Sequence, residues 1–340
     1  AVKGLISKEQ APEQIEKGIL RGLHGLSVFR DGTARFDMSD VPVTHFRPSE
    51  ISTTWKRLVE LGYTHDHDGE PLKNDEQLLE LLPQDFIPSS LASTHLLSTC
   101  SFVDDLLVRF YDMPEFYNAK SLEDIVGHIA IGLAPHTSGG VACRIIGWTD
   151  ASAGYAHPLF HAAKRRNCDG DEDSIMMLMD GLLNFTQTIL PANRGGRMDA
   201  PLVLTTRLNP SEIDKEALNV DCAWFYSRDF FESTLGQPHP KDIRGLMDIV
   251  EDRLGMIGEI RGYGWTHDSG PLDAGPENSS YKTLVTMKDK LDSQLSLGKV
   301  LRPVAAERVA KQVIESHFIP DMRGNPVSYT HLTLPTKRIV

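Results

Sequence analysis

The sequence predicts an α+β protein of several domains, in which a small β-barrel lies between mixed and mostly helical segments. Its 340 residues are enough for two or three domains with sizeable cores. After residue 128, short β-rich runs are cut by Gly, Ser and Pro in HIAIGLAPHTSGGVACRIIGWTDASAGYAHP, which is typical of a small barrel. Stretches with helical periodicity lie on both sides of this region.

The first 125 residues mix helices with one candidate hairpin. APEQIEKGILRGLH predicts a helix, and GLSVFRDGTARFDM predicts a hairpin that turns at Asp31-Gly32. RPSEISTTWKRLVELGY predicts a helix that begins near Ser49 or Ser52 and ends near Gly62. The segments SFVDDLLVRFY and SLEDIVGHIAIGL both indicate further helix.

The remaining elements alternate between helices and loops. HPLFHAAKRR predicts a short helix with Pro158 in its first turn, and the apolar run SIMMLMDGLLNFTQTIL predicts the next helix, from near Ser174 to Pro191. APLVLTTRL is a candidate buried strand. Residues 211–326 then alternate helices with polar loops, notably PKDIRGLMDIVEDRLG and YKTLVTMKDKLDSQLSLGKV.

Composition excludes several classes of protein. A hydrophobic fraction of 40% and a charged fraction of 24% are typical of a folded chain, and no apolar run is long enough to span a membrane. The formal net charge of −12 argues against binding nucleic acid through a globally basic surface, although a local basic groove stays possible. The N-terminus has no signal-peptide pattern, and the four cysteines show no metal or redox spacing. We therefore expect a cytoplasmic protein without a membrane partner.

The segment RRNCDGDED concentrates opposite charges in nine positions. Asp169 and Asp171 are two residues apart, so in an extended loop their side chains point the same way, and Gly170 allows a sharp bend. Two carboxylates on a tight loop suit Mg²⁺, which leaves coordination positions for water and phosphate. Lys164, Arg165 and Arg166, just before them, would suit those phosphates. The segment therefore predicts a Mg²⁺ and phosphate site.

Other interpretations of this acidic segment are weaker or stay open. It can be a solvated helix cap. A calcium EF-hand is rejected because Ser174 stands at the sixth position and Asp180 at the twelfth. A phosphatase of the D-x-D type would have a buried apolar strand before the first aspartate, and AAKRRNC does not fit.

Three more candidates lie nearby. His157 and His161 have the spacing of a zinc pair on a helix, but we prefer a role in orienting the loop or contacting phosphate. PHTSGG resembles a nucleophile loop less than a tight barrel turn. Arg194 and Arg197 flank Gly195-Gly196 and form either an anion-binding loop or a solvated turn.

The run from IGLAPHTSGGVACRIIGW through NCDGDEDSIMMLMDG to LVLTTRLNP closely resembles the large, catalytic subunit of archaeal family-D DNA polymerase. The similarity extends over most of the chain and includes EKGILRGLHGLSVFRDGTARFDMSDVPVTHFRP, ELGYTHD, FYNAKSLEDIVGH and SHFIPDMRGN. The resemblance implies an active site between two double-psi β-barrels, an architecture shared with multisubunit RNA polymerases. In this chain the family's catalytic aspartates match Asp169 and Asp171, and its preceding asparagine matches Asn167.

This resemblance implies replicative DNA synthesis with two Mg²⁺ ions, for which Mn²⁺ can substitute, held by Asp169 and Asp171. Primer-template DNA and deoxynucleoside triphosphates are the implied substrates. The implied partner is a small subunit, to which the 3′→5′ exonuclease of the heterodimer is usually assigned. The residues implied to contact nucleic-acid or nucleotide phosphate are Lys164, Arg165, Arg166, His161, Arg194 and Arg197.

The resemblance also predicts how the chain is divided. Residues 1–120 would be a mixed α/β segment, 121–210 the second, catalytic double-psi barrel, and 211–326 a mostly helical accessory region. Residues 327–340 match neither the zinc module nor the subunit-contacting tail of the family and would be an adaptor-derived tail. We therefore expect a fragment without the family's first barrel, with no zinc, and inactive by itself. The alternative functions are a non-catalytic nucleic-acid-binding or assembly segment, or a related RNA-synthesising polymerase.

Overall fold

A computed structural model of the protein describes residues 14–134, 139–167, 170–186, 203–266, 270–274, 283–301 and 304–324. The chain divides into two compact units, residues 1–275 and residues 276–340. The domain boundaries at residues 120, 210 and 326 stay predictions. None of the described helices is long and apolar enough to cross a bilayer.

The centre of the first unit is a closed β-barrel. In the order β4-β7-β1-β8-β5-β6, six of the described strands form a sheet that closes through pairing of β4 with β6, and β9 adds to the outer side of β6. Pairs β1–β7, β4–β6 and β6–β9 are parallel, whereas β1–β8, β5–β8, β5–β6 and β4–β7 are antiparallel. This confirms the predicted α+β class and the small barrel, while its double-psi identity stays a prediction. The strands are β1 Phe36–Pro42, β2 His45–Phe46, β3 Leu79–Glu80, β4 Asp85–Ile87, β5 Ile129–Leu133, β6 Gly139–Ile145, β7 Ala153–Ala156, β8 Glu172–Met177 and β9 Val203–Thr205.

Helices surround the barrel and make up most of the second unit. In the first unit they are α1 Ile15–Leu23, α2 Trp55–Glu60, α3 Ser93–Phe110, α4 Leu122–Ile125, α5 Pro158–Ala163, α6 Leu178–Asn184, α7 Arg228–Thr234 and α8 Val250–Arg253. In the second unit they are α9 Met287–Val300, α10 Ala306–Val313 and α11 Ile319–Gly324, with a π-helical turn at Ile314–Phe318. Single 3₁₀ turns occupy Pro48–Ile51, Ser90–Ala92, Pro210–Glu212, Ala217–Asn219, Pro240–Asp242, Arg244–Leu246 and Ile257–Glu259.

Two stretches included in predicted helices are barrel strands, and for the first of them the β-rich run predicted after residue 128 is confirmed. After α4, the chain turns at Gly127, whose φ is 103°, and Ile129–Leu133 enters the barrel as β5. The helix predicted from Ser174 is also wrong at its start, because Glu172–Met177 is β8 and α6 begins only at Leu178. Both strands are buried on two faces, so their apolar runs lack the alternation that distinguishes a half-buried strand.

The predicted hairpin at Asp31-Gly32 is a turn without a hairpin. Only its second half forms a strand, β1. Asp31 accepts hydrogen bonds from the amide and hydroxyl of Thr33 and pairs with Arg35, so its carboxylate fixes the turn from within. Gly32 has a φ of 86°, and a Cβ there would lie 2.7 Å from the carbonyl oxygen of Asn184. The turn therefore serves to pack this segment against α6.

The predicted helix around Trp55 is divided. Pro48–Ile51 is a 3₁₀ turn, Ser52 then adopts a left-handed conformation with φ 52°, and the Thr54 side chain caps a separate α2. The predicted strand in APLVLTTRL is confirmed as β9, but it is not buried, because Val203 is 62% exposed.

The barrel draws on a longer part of the chain than residues 121–210. β1 and β4 come from the segment that the sequence places before the barrel, and β1 occupies the position between β7 and β8. Strands this distant along the chain cannot be paired from sequence patterns, since alternation says which face is buried and not which strand is the neighbour.

Asp104 of α3 supports the barrel from outside by ordering the loop before α4. Its buried carboxylate accepts three backbone hydrogen bonds, from Phe116 at 2.8 Å, Tyr117 at 2.9 Å and Asn118 at 2.7 Å. We expect Asp104→Ala to lower the free energy of unfolding by about 3 kcal/mol or more, because three amides lose a charged acceptor. Urea unfolding measures this.

The neighbouring Asp105 is the matched control. Among the described residues, its ion-pair partners are the partly exposed His24 and the exposed Arg109. Asp105→Ala should therefore cost less than about 1 kcal/mol. Equal losses for the two variants would contradict the assignment of the loop to Asp104.

Candidate active site

The predicted catalytic loop connects α5 to β8, and both of its ends are held by the barrel. β8 pairs antiparallel with β1, with Glu172 opposite Ser39. One residue further, the Asp40 amide donates to the Asp171 carbonyl at 2.9 Å. Gly170 has a φ of 94°, a conformation that favours glycine. Asp171 therefore lies at the mouth of the barrel, where β8 begins.

The other end of the loop is set by α5. Pro158 opens this helix, and His157 caps it by accepting the Leu159 amide at its Nδ1, 3.2 Å away. The short helix confirms the element predicted from HPLFHAAKRR. Burial and the nearby His161 and His45 lower the pKa of His157 to about 3, so its imidazole is neutral at physiological pH.

Several predicted residues lie together at the exposed part of the loop. The Asp171 side chain is 37% exposed, and its Oδ2 lies 3.6 Å from Nη1 of Arg166. Arg165 and Asn167 are exposed on the same loop, and Arg165 has a left-handed φ of 64°. An accessible carboxylate beside a guanidinium suits a bound cation and its phosphates.

Other predicted residues lie outside the described part of the chain. These are Asp169, Arg194, Arg197 and the PHTSGG candidates His136, Thr137 and Ser138. The roles that the sequence predicts for them stay predictions.

Lys164 is buried, which differs from the phosphate contact expected for it. It is only 1% exposed and its ammonium pairs with the Asp173 carboxylate, over the ring of Phe160. The sequence treats the KRR run as one exposed helix end, but α5 ends at Ala163 and the chain turns outward only at Arg165. Lys164 is therefore buried, Arg165 is exposed, and Arg166 is half-buried beside Asp171.

His161 is also buried. Its Nδ1 lies 3.1 Å from Oδ2 of Asp40 and its Nε2 lies 3.2 Å from the carbonyl oxygen of Val41. Burial and the Lys164 charge lower the pKa of His161, whereas the Asp40 carboxylate acts in the opposite direction. His161 thus connects α5 to β1 and supports the preferred role of orienting the loop over direct zinc pairing with His157.

Asp40 is the member of this buried cluster that sequence reasoning missed, and the burial of Asp173 was not predicted either. In the described residues, Asp40, His161 and Asp173 form a group whose ligand atoms all lie within 4.8 Å of one another. Asp40 lies two residues after the buried Met38 on β1, so strand alternation could have predicted that its side chain faces the interior. Asp173 gave no such signal, because it was expected at a helix start.

Comparison with known proteins identifies the family. A family model described as DNA polymerase II large subunit DP2, catalytic domain, matches residues 1–290. The chain belongs to this family. The match includes the barrel, the loop and the buried cluster, and it agrees with the resemblance drawn from the sequence.

Similar proteins carry the same description. The DNA polymerase II large subunit of Methanococcoides burtonii is 55% identical over 95% of this chain, and that of Methanocella arvoryzae is also 55% identical over 95%. The DNA polymerase II large subunit of Pyrococcus furiosus is 52% identical over 97% of this chain. The chain spans 28%, 29% and 26% of the lengths of these three relatives, respectively.

Proposed function

We propose that this chain carries the catalytic loop of a DNA polymerase, which adds deoxynucleotides to a primer 3′ end under the direction of a template. The observation that carries the proposal is the placement of Asp171. Its carboxylate lies at the exposed mouth of the barrel beside Arg166, in a chain of the DP2 catalytic-domain family. The net negative charge of the chain does not argue against this function, because only the surface around the loop must attract nucleic acid.

Asp171 and Asp169 are the proposed ligands of two Mg²⁺ ions, for which Mn²⁺ can substitute. Asp171 is the one of the two that the structure describes, and it fits this role because its carboxylate supplies an accessible hard oxygen ligand. Bound Mg²⁺ would supply Lewis-acid activation of the primer hydroxyl and neutralise charge on the triphosphate. Asn167, which is exposed on the same loop, is the proposed hydrogen-bonding contact to substrate.

Arg165 and Arg166 are the proposed phosphate contacts among the described residues. Both follow α5; Arg165 is exposed and Arg166 is half-buried beside Asp171, whereas Lys164 and His161 are buried. In the intact polymerase, primer-template DNA and deoxynucleoside triphosphates are the proposed substrates. The proposed partner is the small subunit, with a 3′→5′ exonuclease.

This assignment predicts a change in the salt dependence of DNA binding. Arg165→Ala combined with Arg166→Ala should weaken primer-template binding. The slope of log K against log salt should become flatter by up to about two charges, because each phosphate that loses its arginine keeps its bound counterion. Fluorescence anisotropy across a salt series measures the slope.

Lys73→Ala combined with Lys120→Ala is the matched control, since these exposed lysines lie on other loops and the change in net charge is the same. The control should keep the parent slope. A parent-like slope in the arginine variant would remove these residues from the DNA-binding surface.

A further inference from the structure

The loop that carries the proposed catalytic aspartates is closed at its base by a buried ion pair. Lys164 is the first residue after α5 and Asp173 is the second residue of β8. Their side chains are 0% and 4% exposed and form an ion pair. The ion pair therefore joins the residue just before the loop to a residue at the start of the strand that follows it.

The packing fixes where Lys164 can place its charge. A Cβ at Gly132 of β5 would lie 3.1 Å from the Lys164 Cδ and 2.7 Å from the Phe160 ring. The Lys164 ammonium lies 4.6 Å from the centre of that ring. The aliphatic part of the Lys164 side chain thus occupies space that a side chain at position 132 would fill, and its ammonium group reaches Asp173.

A second buried contact holds the same loop to β1. The Asp40 amide donates to the Asp171 carbonyl, and the Asp40 carboxylate faces His161 of α5 at 3.1 Å. Position 40 therefore contacts both the end of the loop, through its backbone, and the helix that precedes the loop, through its side chain.

A gain in the free energy of folding does not explain why such a cluster is buried. Removing a buried ion pair in favour of apolar residues of similar volume is often neutral or stabilising, because desolvation offsets the attraction. What the pair does supply is a fixed separation between its two positions. A displacement of about 1 Å at a catalytic group can cost about 10²-fold in rate.

We propose that Lys164 and Asp173 are positioning residues, whose buried ion pair sets the positions of the described loop residues 165–167 and 170–172 and so places Asp171 for catalysis. This inference rests on the proposed polymerase function. It concerns how the loop is held, and neither residue touches substrate.

A metal ion bound by Asp40, His161 and Asp173 is the competing interpretation of the same cluster. Their ligand atoms lie close enough together for one ion. The ion pair is favoured because the Lys164 ammonium already supplies a cation at Asp173, and a second, divalent cation beside it would be repelled.

The test introduces Lys164→Met with Asp173→Leu into the complete polymerase, with active sites counted by single-turnover incorporation. We expect a melting temperature equal to or above that of the parent. We also expect kcat to fall by about 10- to 100-fold, with KM for the deoxynucleotide within about 2-fold and a higher Mg²⁺ concentration for half-maximal rate. A purely structural role would change the active fraction and leave these constants at the parent values, which would overturn the proposal.

Two further variants keep the test decisive. Lys164→Gln with Asp173→Asn allows an uncharged hydrogen bond between the same two positions, through a side chain one bond shorter than lysine, and should recover part of the kcat lost in the Met/Leu variant. Parent-level kcat in both double variants would overturn the proposal. Arg144→Met with Asp85→Leu removes another largely buried ion pair, between β6 and β4, and should leave kcat per active site unchanged. An equal loss there would mean general disruption of the barrel and would also overturn it.

Metal analysis decides against the competing interpretation. The Asp169→Asn, Asp171→Asn chain, dialysed after exposure to Mn²⁺ or Zn²⁺, should retain no stoichiometric ion. A retained ion that is lost on adding His161→Gln would overturn the ion-pair proposal. Failure of the polymerase function itself would look different, since the complete polymerase would then keep its rate when Asp171 is changed.

Discussion

Asp171→Asn in the complete polymerase should lower kcat for nucleotide incorporation by about 10³-fold or more. The expected loss follows from the placement of this carboxylate at the accessible start of β8, where the proposed Mg²⁺ would require a charged ligand. Because asparagine keeps the size of the side chain, the fold should be unchanged. Rapid-quench incorporation of a single deoxynucleotide gives the rate.

Glu172→Gln is the matched control, one position along. Glu172 is exposed on β8 and its carbonyl, not its carboxylate, lies near Arg166. We expect its rate within a few-fold of the parent. A comparable loss in this variant would show that local negative charge, and not Asp171 itself, is what the reaction needs.

The 340-residue chain by itself should extend no primer, even at high Mn²⁺. Phosphoryl transfer depends on positioning and on charge stabilisation from several sides of the triphosphate. Among the described residues around Asp171, Arg166 is the cation close to its carboxylate, whereas the Lys164 charge is directed to Asp173. With Arg166 as the nearby cation among the described residues, we expect too little charge stabilisation around the leaving group for catalysis.

Extension of a labelled primer by the purified chain tests this, with the Asp171→Asn chain as the control for contaminating polymerase. Equal, background-level signals are expected from both. Extension by the parent chain that disappears in the control would show that this single barrel suffices for catalysis.

Local patterns in the sequence predict several of the helices and the loop, whereas PKDIRGLMDIVEDRLG, expected as helix, forms two 3₁₀ turns and the four-residue α8. HPLFHAAKRR forms α5 with Pro158 at its first turn, and YKTLVTMKDKLDSQLSLGKV contains α9, because capping and helical periodicity are local properties. The charge pattern of RRNCDGDED likewise indicates a loop, and Asp171, Arg165 and Arg166 do lie on one. These features depend on residues a few positions apart.

The interior of the barrel could not be predicted in this way. β8 was expected as helix because a strand buried on both faces has a continuous apolar run. Lys164 was expected at the surface because lysine is rarely buried without a partner, and its partner Asp173 was itself misplaced on a helix. The contact of Asp40 with His161 joins positions more than a hundred residues apart, which no local pattern encodes.

Binding of Mn²⁺ tests most directly whether the loop is a metal site. Isothermal titration of the chain should give weak binding, since two carboxylates without substrate phosphates hold a divalent ion poorly. Asp169→Asn with Asp171→Asn should abolish that binding, while the melting temperature without metal stays equal or rises because two like charges are removed. Unchanged Mn²⁺ affinity in the double variant would contradict the assignment and place the metal elsewhere in the chain.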